Sequence, residues 1–347
     1  MKSKRLVVLI FAILAISLLA VGCSKQSEPA PAETETEGEA KAEVIVIKVG
    51  HVEAEDRSTH QATLEFKKYV EEQTDGRVEV QIYPNGQLGG DEQMTEAVAL
   101  GTLHMTMPAT AALTMYDTKF GIGDMPFLFK NEQAAFNAMD GELGAKMDEL
   151  LPAELHNFGY NFNGVRNISN NVRPIHEPAD LKGIKMRVMQ SPVYIDLFET
   201  LGANPTPIAF GEVYTALQQG IVDGQENAAS LTYASKFHEV QKYYSLTGHT
   251  YSFLPVLINK KFYQGLPEDI QKILAEGARK YLIDYQRELE LRDNDKYIQL
   301  IADSGVEVNE VTPENHQKFV EALKPMYDKY QQEFGQELFD IVAQYNQ

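Results

Sequence analysis

Apolar positions divide this chain of 347 residues into three regimes. Residues 6–21 form a run in which only Ser17 is polar, residues 24–43 (SKQSEPAPAETETEGEAKAE) carry no large apolar side chain, and from Val44 onward short apolar runs alternate with amphipathic stretches. Residues 44–49 (VIVIKV) are nearly all apolar, which predicts a short strand buried on both faces, ended by Gly50 and His51. Asp56, Ser58 and Thr59 offer N-cap oxygens to a helix whose Ala62, Phe66, Tyr69 and Val70 recur at helical spacing up to the Asp75-Gly76 stop. Val78, Val80 and Ile82 alternate with polar residues before the turn Tyr83-Pro84-Asn85-Gly86, a half-buried strand. A helix over 91–100 and a short strand over 103–107 complete the order β, α, β, α, β. That is the order of an open α/β sheet, in which ligands sit at the carboxyl ends of the strands.

A second set of strands is predicted at 157–162, with Phe158, Tyr160 and Phe162 on one parity, and at 184–188 and 254–258, with helices over 212–219 and 231–240. Residues 268–303 then hold one helical period with a single glycine, Gly277, and no proline, and the period returns over 314–345. No internal repeat of 20 to 50 residues is present.

The first regime is a targeting signal. Lys2, Lys4 and Arg5 precede the apolar run, which is shorter than the roughly 20 residues a spanning helix needs. It stops at Val21-Gly22-Cys23, small residues followed by the one cysteine of the chain. This arrangement resembles a bacterial lipobox, which implies a signal peptide over 1–22, cleavage before Cys23 and a diacylglycerol thioether on its sulfur. Ala20 stands where the lipobox prefers leucine, and an ordinary cleaved signal peptide is the other reading. Residues 24–43 are then expected to form a disordered acidic tether, which as a flexible coil would reach roughly 25 Å. An extracytoplasmic, tethered body narrows function to receptors, surface enzymes and adhesins.

Charge removes further classes. Lys plus Arg number 31 against 50 Asp plus Glu, a formal charge of −19 that becomes −22 once Lys2, Lys4 and Arg5 leave with the signal. No nucleic acid and no anionic lipid surface is held by general attraction to such a chain. One cysteine cannot build a disulfide, a multi-cysteine zinc site or an iron–sulfur cluster, and no metal or cofactor is predicted. Signatures of hydrolases and nucleotide binding are missing: there is no G-x-S-x-G, H-E-x-x-H or P-loop, and Gly121-Ile122-Gly123 lacks a third glycine.

A few polar residues remain. His51 and Glu53 are a His-x-acid pair just beyond the first strand, placed for ligand contact. On the strand at 184–188 the apolar Ile184, Met186 and Val188 share one face, so Lys185, Arg187 and Met189 share the other, toward solvent or a cleft. Arg166 is either a ligand group or an ion-pair partner, and Asn227 follows an Asp-Gly turn signal, where asparagine is often turn chemistry.

Taken together, the segments resemble the solute-binding proteins of TRAP (tripartite ATP-independent periplasmic) transporters. The resemblance runs from Lys48-Val49-Gly50 through Tyr83-Pro84-Asn85-Gly86-Gln87-Leu88-Gly89, Met125-Pro126-Phe127-Leu128-Phe129 and Asn163-Gly164-Val165-Arg166. It continues through Leu181-Lys182-Gly183-Ile184-Lys185-Met186-Arg187-Val188, Pro205-Thr206-Pro207, Glu212-Val213-Tyr214-Thr215-Ala216-Leu217-Gln218 and Val222-Asp223-Gly224-Gln225-Glu226-Asn227. It implies a two-lobed α/β periplasmic-binding-protein-like fold with an interdomain cleft and a long helix spanning both lobes. Lobe I is expected at 44–163 plus about 254–292, and lobe II at about 164–253 plus 293–347.

By the same resemblance Arg187 pairs with the ligand carboxylate, Arg166 and Asn227 help hold it, and Phe210 packs on the ligand. A guanidinium suits this task because it offers a carboxylate two parallel donors that lysine cannot copy. His51, Thr110, Tyr233, His249 and Tyr251 are further candidates for reading the rest of the ligand, where hydroxyls or a second carboxylate would both suit them. Departures bear on specificity: Met189-Gln190 and Ala228 replace prolines frequent in the family, and Ala109 and Ala112 stand where sialic-acid-binding members use a glutamate and an arginine. The expectation is a monomeric, lipid-anchored, non-catalytic receptor that delivers a sugar acid or C4-dicarboxylate to the large and small membrane permease subunits. An aromatic or hydroxy monocarboxylate comes next. From another class, a surface enzyme acting on carboxylated sugars would use His51 and Glu53 as acid and base, and an adhesin fits two α/β lobes poorly.

Overall fold

A computed structural model describes residues 44–347; the signal segment 1–22, Cys23 and the stretch 24–43 lie outside the described residues. Strand β1 (Ile45–Gly50) forms where predicted, with Ile47 and Val49 fully buried, and pairs in parallel with β2 (Val78–Tyr83) and with the short β3 (Met105–Thr106). Helix α1 (Ser58–Gln73) joins β1 to β2 and buries Ala62, Phe66 and Val70. Its predicted caps do not act: Arg57 holds the N-cap position without a side-chain cap bond, and Ser58 Oγ donates to Glu290 at 2.5 Å instead. Helix α2 (Asp91–Leu100) begins at Gly90, whose N–H donates to Gln93 Oε1 at 2.6 Å.

The second half repeats the plan: β5 (Lys185–Val188) pairs in parallel with β6 (Asn204–Pro207) and with β7 (Gly224–Asn227). Two long strands join the halves. The strands expected at 157–162 and 254–258 are fragments of β4 (Leu155–Asn170) and β8 (Tyr243–Asn259), antiparallel to each other over most of their length. The sheet order among the described residues is therefore β2-β1-β3-β8-β4-β7-β5-β6, with β9 (Glu307–Glu310) on the end of β8. Two parallel crescents face each other across one antiparallel ladder, the arrangement of two lobes on a shared spine.

Register shifts at Phe162/Gly164 and Arg166/Ile168 bend that spine where it passes between the halves. Gly164 is required there: its φ is +112°, and a Cβ would lie 2.6 Å from Ala228 Cβ and 2.9 Å from Glu290 Oε1.

The helix predicted over 268–303 is continuous, but its middle is widened: Glu268–Gly277 and Gln286–Asp303 are α-helical and Ala278–Tyr285 is π-helical. A Cβ on Gly277 would sit 2.9 Å from Tyr69 Cδ1, so glycine lets this helix close on α1. The helix expected over 231–240 is broken, because Ala229–Ala234 ends before Lys236 takes φ +60° and a 3-10 turn, Phe237–Glu239, follows. The C-terminal stretch does not keep to the second half. Tyr327 Oη donates to Pro126 O at 2.6 Å and Asn346 Nδ2 to Leu128 O at 2.8 Å, while Lys329 pairs with Asp196 at 2.5 Å. It thus straps the two halves together on the side of residues 126–142. Among the described residues no helix is long and apolar enough to cross a membrane.

Candidate functional site

The carboxyl ends of strands from both halves converge on a cavity of about 160 Å³. From the first half come Val52 and Glu53 after β1, the α2 start from Gly90 to Gln93, and Ala109, Ala111 and Ala112 after β3. The spine adds Asn163, Arg166 and Leu254; the second half adds Arg187, Met189 and Gln190 on and after β5, Ala209 and Phe210 after β6, and Asn227 and Leu231 at and after β7. This is where an open α/β sheet places its ligands.

The two cavity arginines differ in what they already hold. Arg166, 1% exposed, is clamped by Glu226: Nε meets Oε2 at 2.5 Å, Nη2 meets Oε1 at 2.7 Å, and Nη2 also donates to the Glu226 carbonyl at 2.7 Å. Burial works against charge on both groups, yet Glu226 holds the Arg166 guanidinium above its ordinary range. Against the same burial Arg166, with His249 Nε2 at 3.2 Å, draws Glu226 down to about 2. Arg187, 2% exposed, makes one hydrogen bond among the described residues, Nε to Ile208 O at 2.9 Å, and no salt bridge. Burial pulls its guanidinium down to about 10, the neighbouring Arg166 adding to the fall and Glu226 and Asp91 resisting it. A buried cation that makes no salt bridge among the described residues is able to take up a carboxylate.

Asn227 sits at the end of a strand rather than in a turn, its Nδ2 donating to Gln225 Oε1 at 2.6 Å. Phe210 lies half-buried against Phe237, ring centres 5.9 Å apart, with its other side on the cavity. Ala109 and Ala112 also line it, so no charged side chain is presented from those two positions.

Acids occupy the wall supplied by the first half. Glu53, 2% exposed, gives Oε2 to Arg57 Nε at 2.6 Å, and its Oε1 has no partner among the described residues. Asp91 Oδ2 accepts from Ala109 N at 3.1 Å, its Oδ1 is buried without a partner, and burial pushes its carboxyl up to about 7. Behind Glu53, the fully buried Arg57 also meets both Glu290 oxygens at 3.0 Å and Asn163 Oδ1 at 2.8 Å, and contacts Ser230 Oγ. One guanidinium thereby ties the first strand end, the spine, the helix Ala229–Ala234 and the long helix together. Arg57, Glu226 and Asp91 escaped the sequence reading as site residues. An arginine four residues after an acid, inside an acidic stretch, was the available signal for the first.

Five of the predicted ligand residues are not on the cavity wall. His51 is fully buried, its Nε2 3.2 Å from His60 Nδ1, and burial followed by the charge of His60 pushes it down to about 3. Thr110 turns inward to donate to Asp124 Oδ1 at 2.8 Å. Tyr233 stacks on His238 with ring centres 4.4 Å apart, and Tyr251 packs edge-on to Phe129 at 6.4 Å. His249 reaches the site through Glu226 alone. For the enzyme reading the cost is direct: Glu53 lines the cavity but His51 is turned toward His60 and does not, so the two do not face it as an acid–base pair.

A cavity lined from both α/β halves and their shared spine is the architecture of a solute-binding receptor. The chain belongs to the family described as "Bacterial extracellular solute-binding protein, family 7", whose model matches residues 49–333. It is 36% identical over 305 residues to the C4-dicarboxylate-binding periplasmic protein DctP of Rhodobacter capsulatus, covering 86% of this chain and 90% of that one. Among solved structures it is similar to the sugar acid binding protein DctPAm of Advenella mimigardefordensis in complex with galactonate (TM-score 0.84, 34% identity, 87% of this chain and 99% of that one). A TRAP periplasmic solute-binding protein of Shewanella oneidensis with bound succinate matches equally well (TM-score 0.84, 31% identity, 88% of this chain and 100% of that one). The protein is thus an extracytoplasmic solute-binding receptor of the TRAP type.

Proposed function

We propose that the protein captures a small organic acid, a sugar acid or a C4-dicarboxylate, by pairing its carboxylate with Arg187. The observation that carries this reading is the buried Arg187 guanidinium, which lines the cavity with one hydrogen bond and no ion pair among the described residues. Arg166, fixed by Glu226, presents its remaining N–H edge beside it, Asn227 adds an amide, and Phe210 covers an apolar face of the solute. Relatives whose names specify C4-dicarboxylates, galactonate or succinate support the ligand class.

The lobes, about 44–163 with 254–292 and about 164–253 with 293–347, close on the solute by bending at Gly164 and the neighbouring bulges, and the last helix reaches back to the first lobe. The loaded monomer, held to the membrane by a lipid on Cys23, hands the solute to the large and small permease subunits and transforms nothing.

Isothermal titration of the chain from Cys23 onward, unfolded and refolded to remove solute, tests the reading. Acids should bind with micromolar or better affinity and be recovered unchanged, while their neutral amides or polyols should not bind. Neutral analogues binding as well as the acids would overturn the role of the carboxylate.

A further inference from the structure

The charges around the cavity do not match a solute with a carboxylate at each end. Arg166 and Arg187 are the cations of its wall, and Arg166 is already neutralised by a two-point clamp on Glu226. One uncompensated cation remains, Arg187, enough for one carboxylate. The first half contributes Glu53, Asp91 and Glu92 to the same wall and no Lys or Arg. Glu53 Oε1 lacks a partner among the described residues and Asp91 Oδ1 is buried without one, so both have lone pairs to offer and no proton donor to receive. Hydroxyl groups supply donors of that kind, whereas a second carboxylate supplies only acceptors and a like charge.

From this we infer that the cavity selects a polyhydroxylated monocarboxylate over a dicarboxylate, with Glu53 and Asp91 as the specificity-determining residues. They accept hydroxyl hydrogen bonds from the solute and repel a second carboxylate brought against the wall supplied by the first half. The inference rests on Arg187 holding the first carboxylate. Discrimination then comes from an unfavourable contact with the wrong ligand as much as from a favourable one with the right ligand. Asn163 and Gln190, also on the wall, can serve either ligand and do not discriminate.

Matched pairs isolate the feature. An aldonate and the aldarate of the same configuration differ only in carrying CH2OH or a carboxylate at the far end. Titration at pH 8 of the refolded chain with four- to six-carbon aldonate/aldarate pairs, succinate and malate should find an aldonate bound at least about tenfold more tightly than its aldarate and than either C4 acid. In Asp91→Asn, which keeps an acceptor for Ala109 N but removes the charge, the gap should narrow with the aldarate gaining. A dicarboxylate binding as tightly as or more tightly than every aldonate would overturn the inference while leaving the carboxylate receptor intact. Binding of none of these acids would overturn both, and an unchanged gap in Asp91→Asn would remove Asp91 from the discrimination.

Discussion

Replacing Arg187 by alanine should separate binding from folding, because the guanidinium carries the proposed ligand contact and makes a single hydrogen bond to the protein among the described residues. Burial lowers the Arg187 guanidinium from its ordinary range to about 10, and at about 1.4 kcal/mol per pKa unit its charge without a counter-ion is unfavourable by roughly 3 kcal/mol. A carboxylate about 4 Å away at an effective dielectric near 20 returns about 4 kcal/mol, similar in size. Losing that pair should weaken binding by about 2 to 5 kcal/mol, a dissociation constant raised from about 30-fold to a few thousand-fold. The ligand-free variant gives up one hydrogen bond, to Ile208 O, and is relieved of a buried charge, so its melting temperature should stay within a few degrees of wild type. Arg166→Ala is the control with the opposite pattern. It strands the fully buried Glu226 carboxylate, at a cost of about 3 to 5 kcal/mol, which lowers melting on the order of 10 °C even without ligand. Calorimetric titration and scanning of both variants after refolding decide the matter. Unchanged affinity in Arg187→Ala, or a ligand-free melting loss equal to that of Arg166→Ala, would refute the reasoning.

Three further changes probe the scaffold. Glu290→Ala deprives Arg57 of one of its two carboxylates and should cost about 3 kcal/mol by denaturant unfolding and also weaken ligand, since Arg57 orients Glu53 and Asn163; wild-type affinity in a folded variant would disconnect the network from the site. Gly164→Ala, with φ +112° and Ala228 Cβ in the way, should lose more than about 2 kcal/mol, and a variant melting with wild type would show the spine to be adaptable there. The fully buried Asp124 is pushed by burial from 3.8 up to about 7, so its contribution to stability is full below the lower value and is lost as pH rises through the upper one. Asp124→Asn should remove a decline of up to about 4 kcal/mol between pH 4 and 7, read as the difference between denaturation curves of variant and wild type; parallel pH profiles would refute it.

Periodicity carried the first hundred residues because the elements there are regular: Phe66 and Val70 on α1, and Val78 and Val80 on β2, sit where their spacing puts them, although β1, expected to be buried on both faces, buries Ile47 and Val49 fully and leaves Val46 and Lys48 half-buried. It failed on the spine. Through Asn163, Gly164, Arg166 and Asn167 the strand β4 is polar, glycine-containing and twice shifted in register, so alternation is lost although the strand continues. Arg187 could be placed on the non-core face of its strand, but whether that face met solvent or a cleft depends on β6, α2 and residues after β7 closing over it. His51 shows the converse limit. Its position beyond β1 is as expected, yet its ring turns toward His60, a choice made by χ angles and a neighbour nine residues away that no strand pattern contains. The clamp between Arg166 and Glu226 and the Arg57–Glu290 pair span 60 and 233 residues, and only the fold brings them together.

That clamp bears on how a strongly acidic protein captures an acid. Two adjacent guanidiniums buried together would repel, and Arg166 already contributes to lowering Arg187. Neutralising one with Glu226 lets both line one cavity while keeping a surplus of a single positive charge between them. An empty closed cavity therefore contains an uncompensated Arg187, and a filled one does not. On the proposed reading, the unpaired charge of that cation opposes closure without ligand and is relieved by it, which biases the lobes toward closing when loaded. A membrane partner that recognises the closed shape would then meet loaded receptor far more often than empty receptor, without any contact to the solute itself.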